Sequence, residues 1–209
     1  MSKKGILTII SGFSGAGKGT LVKELVKKYD YKLSISATTR SPRQGEEHGR
    51  EYFFLTRDEF ESMIEDNQLL EWAEYVGNYY GTPKAYVEEQ LELGNHVILE
   101  IEIQGALKVK EQCPDALLLF VTPPSAQVLK ERLIGRGTEN MDTINKRLSR
   151  ACEEALYMPD YDYIIVNDEL SECVEETNAI IENERNRTER RQDFIQLITE
   201  ELKVFQEGE

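Results

Sequence analysis

Cysteine is scarce: Cys113, Cys152 and Cys173 are all that 209 residues contain, far apart and outside any C-x-x-C pattern. An odd, scattered set builds neither a disulfide framework nor a zinc site and fits a reducing cytoplasm. Long hydrophobic runs are missing too, and none approaches the ~20 apolar residues that span a bilayer. Lys3 and Lys4 before the apolar stretch Ile6 to Ile10 imitate a signal peptide, but the stretch is short and runs straight into glycines and charged residues. Basic residues are outnumbered, 25 Lys and Arg against 39 Asp and Glu, for a net charge of −14. That balance argues against wrapping a nucleic-acid polymer through phosphate neutralisation and favours solubility. Internal repeats and low-complexity tracts are absent, so nothing suggests a fibre or solenoid.

What is present is ordinary globular composition, 40% hydrophobic and 31% charged, at a length that suits one main core with insertions. Ile6, Leu7, Ile9 and Ile10 form an apolar block between Gly5 and Gly12, the pattern of a strand buried on both faces of a parallel sheet. Leu21, Val22, Leu25 and Val26 then recur at helical spacing. Further apolar blocks at 97–103, 117–121 and 163–166 are each followed by a helix-like stretch. The alternation predicts a doubly wound α/β core. Segments near 34–86 and 125–156 break it: the first reads as a small mixed α/β unit with an aromatic strand from Leu70 to Val76, the second as helical with Gly135 and Gly137 as punctuation. Beyond Glu169 the chain reads as helix, with Val174, Ile180, Ile181, Phe194, Leu197, Ile198 and Leu202 as packing positions. The intermixed Arg185, Arg187, Arg190, Arg191 and acidic neighbours read as a solvated helix face.

Gly12-Phe13-Ser14-Gly15-Ala16-Gly17-Lys18-Gly19-Thr20 lies between the first strand and the first helix, the context that a phosphate-binding P-loop requires. Glycines let the backbone curl around phosphate oxygens, and the helix N-terminus points its free N–H groups at the anion. Lys18 reaches the β and γ phosphates in this reading. Gly19 stands where many P-loops carry the Ser or Thr that touches Mg²⁺, and Thr20 comes one residue later. No residue is therefore assigned as a direct metal ligand, and Mg²⁺ is expected through nucleotide phosphates and water.

Phosphoryl transfer needs fixed cations around a spread negative charge. Arg40 and Arg43 sit three residues apart in Thr38-Thr39-Arg40-Ser41-Pro42-Arg43, where Pro42 disfavours a continuing helix. Arg132 and Arg136 are four apart, and Arg147 shares their azimuth if one helix runs through all three. Solvated helix charge is the alternative for that second group.

The chain resembles guanylate kinases along nearly its whole length. The matching segments are Ser-Ala-Thr-Thr-Arg-Ser-Pro-Arg at 36–43, Gly-Arg-Glu-Tyr-Phe-Phe at 49–54, Leu-Leu-Glu-Trp-Ala at 69–73, and Gly-Asn-Tyr-Tyr-Gly-Thr at 77–82. Leu-Glu-Ile-Glu-Ile-Gln-Gly at 99–105, Gly-Arg-Gly-Thr-Glu at 135–139 and Ile-Asn-Lys-Arg-Leu at 144–148 complete the series in the family's order. The resemblance implies a core of residues 1–33, 87–124 and 157–209, a GMP-binding subdomain at 34–86 and a lid at 125–156. It implies Arg40, Arg43, Tyr52 and Tyr80 on the GMP phosphate, Ser36, Glu71, Thr82 and Glu102 on guanine, and Arg132, Arg136, Arg147 and Asn167 on the ATP side. Guanine's edge offers adjacent N1–H and N2–H donors that a carboxylate such as Glu71 accepts together, and adenine has no such pair. Glu102 stands where the family usually has Asp, and Phe13 where it usually has Pro. Glu100 and Glu102 are expected to alternate along one strand and face the same side.

The activity implied is transfer from ATP to GMP in a cytoplasmic enzyme, with Lys18, Arg40, Arg136 and Arg147 offsetting charge. Other monophosphate acceptors, a scaffold module lacking catalysis, and an unrelated ATPase are the rival readings. The intact loop around Lys18 argues against the scaffold module, and the Thr-Thr-Arg-Ser-Pro-Arg segment together with Glu71 argues against other acceptors.

Overall fold

A computed structural model describes residues 4–75, 77–135, 137 and 140–205. In chain order the strands are β1 (Leu7–Gly12), β2 (Lys32–Leu33), β3 (Ala37–Thr38), β4 (Phe53–Phe54), β5 (Leu69–Tyr75), β6 (Asn78–Pro83), β7 (Val97–Glu100), β8 (Leu117–Thr122) and β9 (Tyr163–Val166). The helices are α1 (Lys18–Lys28), α2 (Arg57–Glu65), α3 (Lys84–Glu92), α4 (Ile103–Gln112), α5 (Ala126–Gly135), α6 (Met141–Glu154), α7 (Leu170–Glu184) and α8 (Gln192–Lys203).

The main sheet has the order β2-β7-β1-β8-β9, and every pairing in it is parallel. Continuous apolar runs make this possible, because the central strands are covered on both faces: Ile9, Ile10, Val97, Ile98 and Leu117 to Val121 are all buried. Helices α1 and α7 pack on each other, and α4 packs against β1. Burying a side chain of this size contributes roughly 1.5–3 kcal/mol each, so the sheet is the rigid frame for whatever its strand ends carry. No helix among the described residues is long and apolar enough to cross a membrane.

A second sheet, β4-β3-β6-β5, is mixed: β3 and β4 run parallel, whereas β6 is antiparallel to both β3 and β5. It has its own small core of Ala37, Phe60 and Leu69, with Phe53, Met63 and Tyr79 packed around them. Helix α2 starts on a capping box in which Thr56 and Glu59 satisfy each other's backbone N–H groups. Strand β5 is tied to the main core by the Gln112 side chain on α4, which donates to the Leu70 carbonyl at 2.9 Å.

Three expectations are corrected. The apolar block at 97–103 is not one strand: β7 ends at Glu100, and Glu102 is the N-cap of α4. Glu100 and Glu102 therefore do not alternate along a strand, and both are solvent-exposed. Helices α5 and α6 are separate, with Asn140 capping the second by accepting from the Thr143 N–H, so one helical azimuth cannot relate Arg132 to Arg147. In the C-terminal segment Val174 and Ile181 are buried, but α8 buries none of its residues, leaving Phe194 and Leu202 more than half exposed. Between α7 and α8, the buried Glu184 holds Arg187 and Arg190, and Arg190 also reaches the Asp115 carbonyl.

Candidate active site

The glycine loop curls because neighbouring backbone leaves it no other course. Gly12 has φ 139°, and a Cβ there would lie 2.0 Å from the Val121 carbonyl oxygen of β8. Gly17 has φ 92°, and its missing Cβ leaves room for the Asn167 amide, whose nitrogen would be only 2.5 Å away. Asn167 is buried just past β9, and its Nδ2 donates to the Ala16 carbonyl at 2.8 Å. Phe13 anchors the other limb, meeting Phe120 edge-on at 5.0 Å. Helix α1 begins at Lys18 with no side chain capping it, so its first N–H groups open onto the loop. Lys18 folds back over the loop and donates to the Gly12 and Phe13 carbonyls at 2.6 and 3.1 Å. Those are the contacts of a lysine at an anion nest.

Two helices approach the same loop. From α5, Arg132 points at the Ala16 carbonyl at 3.5 Å; from α6, Arg147 donates to the Ser14 hydroxyl. Arg136 lies outside the described residues. Glu100, at the end of β7, has its carboxylate 3.5 Å from where a Cβ of Gly19 would sit. Although Glu100 keeps solvent access, the surrounding protein pushes its carboxyl up, with Lys18 opposing the rise and Glu102 adding to it. Gly15, Gly19 and Thr20 complete the loop, the last two exposed.

The second sheet carries a different kind of site. On β6, Tyr80 and Thr82 are two residues apart and so share a face. Tyr80 pairs in register with Thr38 and Thr82 with Glu71. Around Tyr80 gather Tyr52, with ring centroids 6.1 Å apart, and the Arg40 guanidinium, 5.4 Å from the Tyr52 ring and 5.7 Å from Phe54. Glu46 holds Arg40 at 3.0 Å and accepts the Arg43 backbone N–H at 2.8 Å. The Arg43 side chain is exposed beside them. Ser36 is half-buried, and its carbonyl accepts from Phe53 at 2.9 Å, which sets the start of β3.

One step along the sheet, the Thr82 hydroxyl donates to Glu71 Oε1 at 2.8 Å. The other oxygen, Oε2, lies against Gly105 of α4, 3.1 Å from where a Cβ would be. Burial pushes the Glu71 carboxyl up, and the Thr82 hydrogen bond and Lys108 pull it back. Glu102, one turn before Gly105, meets Arg150 of α6 at 2.9 Å. Three residues at this site were not anticipated: Glu46, Gly105 and Arg150. Glu46 and Arg150 sit in charge-rich stretches that give no signal, and Gly105 matters only because β5 is folded against it.

A parallel sheet whose first strand runs into a glycine loop around a lysine, with arginines converging on that loop, defines a P-loop α/β nucleotide-binding protein. The Guanylate kinase family profile matches residues 4–184. The chain is 53% identical over 192 residues to a guanylate kinase of Streptococcus thermophilus, covering 91% of this chain and 92% of that one. It is 50% identical over 202 residues to one from Caldanaerobacter subterraneus subsp. tengcongensis, covering 96% and 98%. The crystal structure of guanylate kinase from Anaplasma phagocytophilum superposes with a TM-score of 0.71 at 30% identity over 90% of each chain. This chain belongs to the guanylate kinase family.

Proposed function

We propose that the chain transfers the terminal phosphoryl group of ATP to GMP, giving ADP and GDP in purine nucleotide metabolism, with the cytoplasmic nucleotide pool as its setting. The observation that carries the acceptor's identity is the Glu71–Thr82 pair, two residues along β6 from Tyr80 of the Arg40–Tyr52–Tyr80 cluster. A carboxylate beside a hydroxyl suits a base edge bearing two donors, and an arginine between phenols suits a phosphate.

ATP lies along residues 12–20, with its phosphates on the loop N–H groups and Lys18. The unit at 34–86 holds GMP, with Arg40, Arg43, Tyr52 and Tyr80 on the phosphate and Ser36, Glu71, Thr82 and Glu102 at guanine. The lid at 125–156 brings Arg132, Arg136 and Arg147 over the donor phosphates, and Asn167 steadies the loop on the ATP side. Residues 1–33, 87–124 and 157–209 make the core on which both units close. Closure excludes water, which would otherwise intercept the phosphoryl group.

The attacking oxygen belongs to the GMP phosphate, whose second pKa is about 6, so it is ionised at neutral pH and no protein base is needed. Lys18, Arg40, Arg136 and Arg147 offset the charge that spreads over the moving group. Arg40 must turn from Glu46 toward the phosphate, or share itself between them. Among the described residues no three His, Cys, Asp or Glu side chains cluster as a metal cage. The Glu100 carboxylate beside Gly19 would hold, through water, a hard cation that arrives with the nucleotide. Mg²⁺ bound in that way would supply charge neutralisation to the transferring phosphates.

The test is a panel of nucleoside monophosphates with ATP and Mg²⁺, followed by coupled ADP release. GMP should be turned over far faster than AMP, UMP or CMP. Absence of GDP, or equal turnover of AMP, would overturn the proposal.

A further inference from the structure

We propose that Arg150 is a positioning residue for base recognition: it holds Glu102 by one carboxylate oxygen and ties that residue to the lid helix. The inference rests on the assignment of Glu102 to guanine made above, and it adds a residue outside that set.

Three observations support it. Glu102 is the N-cap of α4, yet its side chain makes no capping hydrogen bond and is 74% exposed. Packing therefore does not orient it, and a glutamate has one more rotatable bond than the aspartate the family usually places there. Arg150 supplies the missing restraint, with its Nη2 donating to Glu102 Oε2 at 2.9 Å. That bond engages Oε2 and leaves Oε1 to accept a donor from a base.

The guanidinium is itself held. Its Nε donates at 2.8 Å to Glu154, one turn further along α6 and only 12% exposed in its side chain. An arginine bridging two carboxylates through different nitrogens has a fixed plane and a fixed reach. A lysine in its place would be a point charge without that plane and would fix Glu102 less firmly.

Position on α6 provides the third observation. Arg147 and Arg150 are three residues apart and so neighbours on one helix face; Arg147 touches Ser14 of the P-loop, whereas Arg150 touches Glu102 at the start of α4. One rigid helix thus contacts the donor loop and the base-reading carboxylate together. A base that engages Oε1 keeps Glu102 in place and with it the seat of α6. A base that presents an acceptor there repels the carboxylate, and the helix carrying Arg147 loses that seat. Arg150 in this way makes the lid's position depend on the identity of the base.

The experiment is a double-variant cycle with Arg150→Gln and Glu102→Gln, alone and together, plus Arg150→Lys, measuring KM for GMP and ATP and the GMP-to-AMP ratio of kcat/KM. Arg150→Gln should raise KM for GMP about fivefold, the scale of one partly exposed ion pair. It should lower the GMP-to-AMP ratio, leave KM for ATP unchanged, and have no further effect on either GMP quantity once Glu102 is Gln. Arg150→Lys should fall between wild type and Arg150→Gln, which a fault in helix α6 alone would not produce. Equal effects of Arg150→Gln with and without Glu102, or a matching rise in KM for ATP, would overturn the inference while leaving the GMP kinase assignment standing. A wild-type chain that makes no GDP would overturn both.

Discussion

The donor loop and the acceptor pocket that we propose each hold a phosphate, and they do so with different materials. The donor loop is backbone: Gly12 and Gly17 take left-handed conformations because β8 and Asn167 occupy the space a side chain would need, and Lys18 is its main charged contribution. The acceptor pocket is side chains: Tyr80 and Thr82 from β6, Glu71 from β5, and Arg40 and Tyr52 from the loop between β3 and β4, each positioned by a partner. A backbone site is broken by adding atoms and a side-chain site by removing them. The first should be indifferent to the base carried by the phosphate, and the second should read it.

The two sites share one requirement, charge on the moving phosphoryl group, and losing it should cost most. Lys18→Ala should lower kcat about 10³-fold, close to 4 kcal/mol, with an unchanged thermal midpoint. A folded variant with full kcat would remove Lys18 from the chemistry. Next in size is the added methyl of Gly12→Ala, which meets the Val121 carbonyl at 2.0 Å and should lower the unfolding free energy by about 3 kcal/mol. Urea titration measures it, and unaltered stability would mean the loop is not held by β8.

Glu71→Gln keeps the side chain's shape while exchanging an acceptor for a donor. The GMP-to-AMP ratio of kcat/KM should fall by about 2–3 kcal/mol, on the order of 30- to 150-fold, while KM for ATP stays put. An unchanged ratio would show that Glu71 does not read the base. The smallest expected effects form a matched pair. Arg43→Ala should raise KM for GMP about tenfold with little change in kcat, and Arg147→Ala should lower kcat about tenfold with little change in KM for GMP. The reverse pattern in steady-state kinetics would mean that the two units have exchanged roles.

The donor loop was legible in the amino-acid order because strand, glycine turn, lysine and helix are consecutive. Local backbone preference and burial periodicity therefore mark out strand, glycine turn and helix before any distant contact forms, and β8 and Asn167 then fix how the turn curls. The parallel core was legible for a similar reason: runs such as Leu117 to Val121 are apolar on both faces, and only a covered sheet accepts them. Tertiary structure decided what depends on residues far apart in sequence meeting. Whether Glu102 ends a strand or caps a helix turns on where β7 loses its neighbours at Glu100. The break between α5 and α6 dissolves the azimuth that spacing suggested for Arg132 and Arg147, yet chain return brings both to the P-loop from different helices. The amphipathic stripe of α8 promised packing, but periodicity says only that a face is apolar, not that a partner stands opposite it, and α8 buries none of its residues. Glu46 on Arg40 and Arg150 on Glu102 are ion pairs between charged residues that, read along the chain, look like any others. Charge has no periodicity to betray its partner, so only the folded chain could choose them.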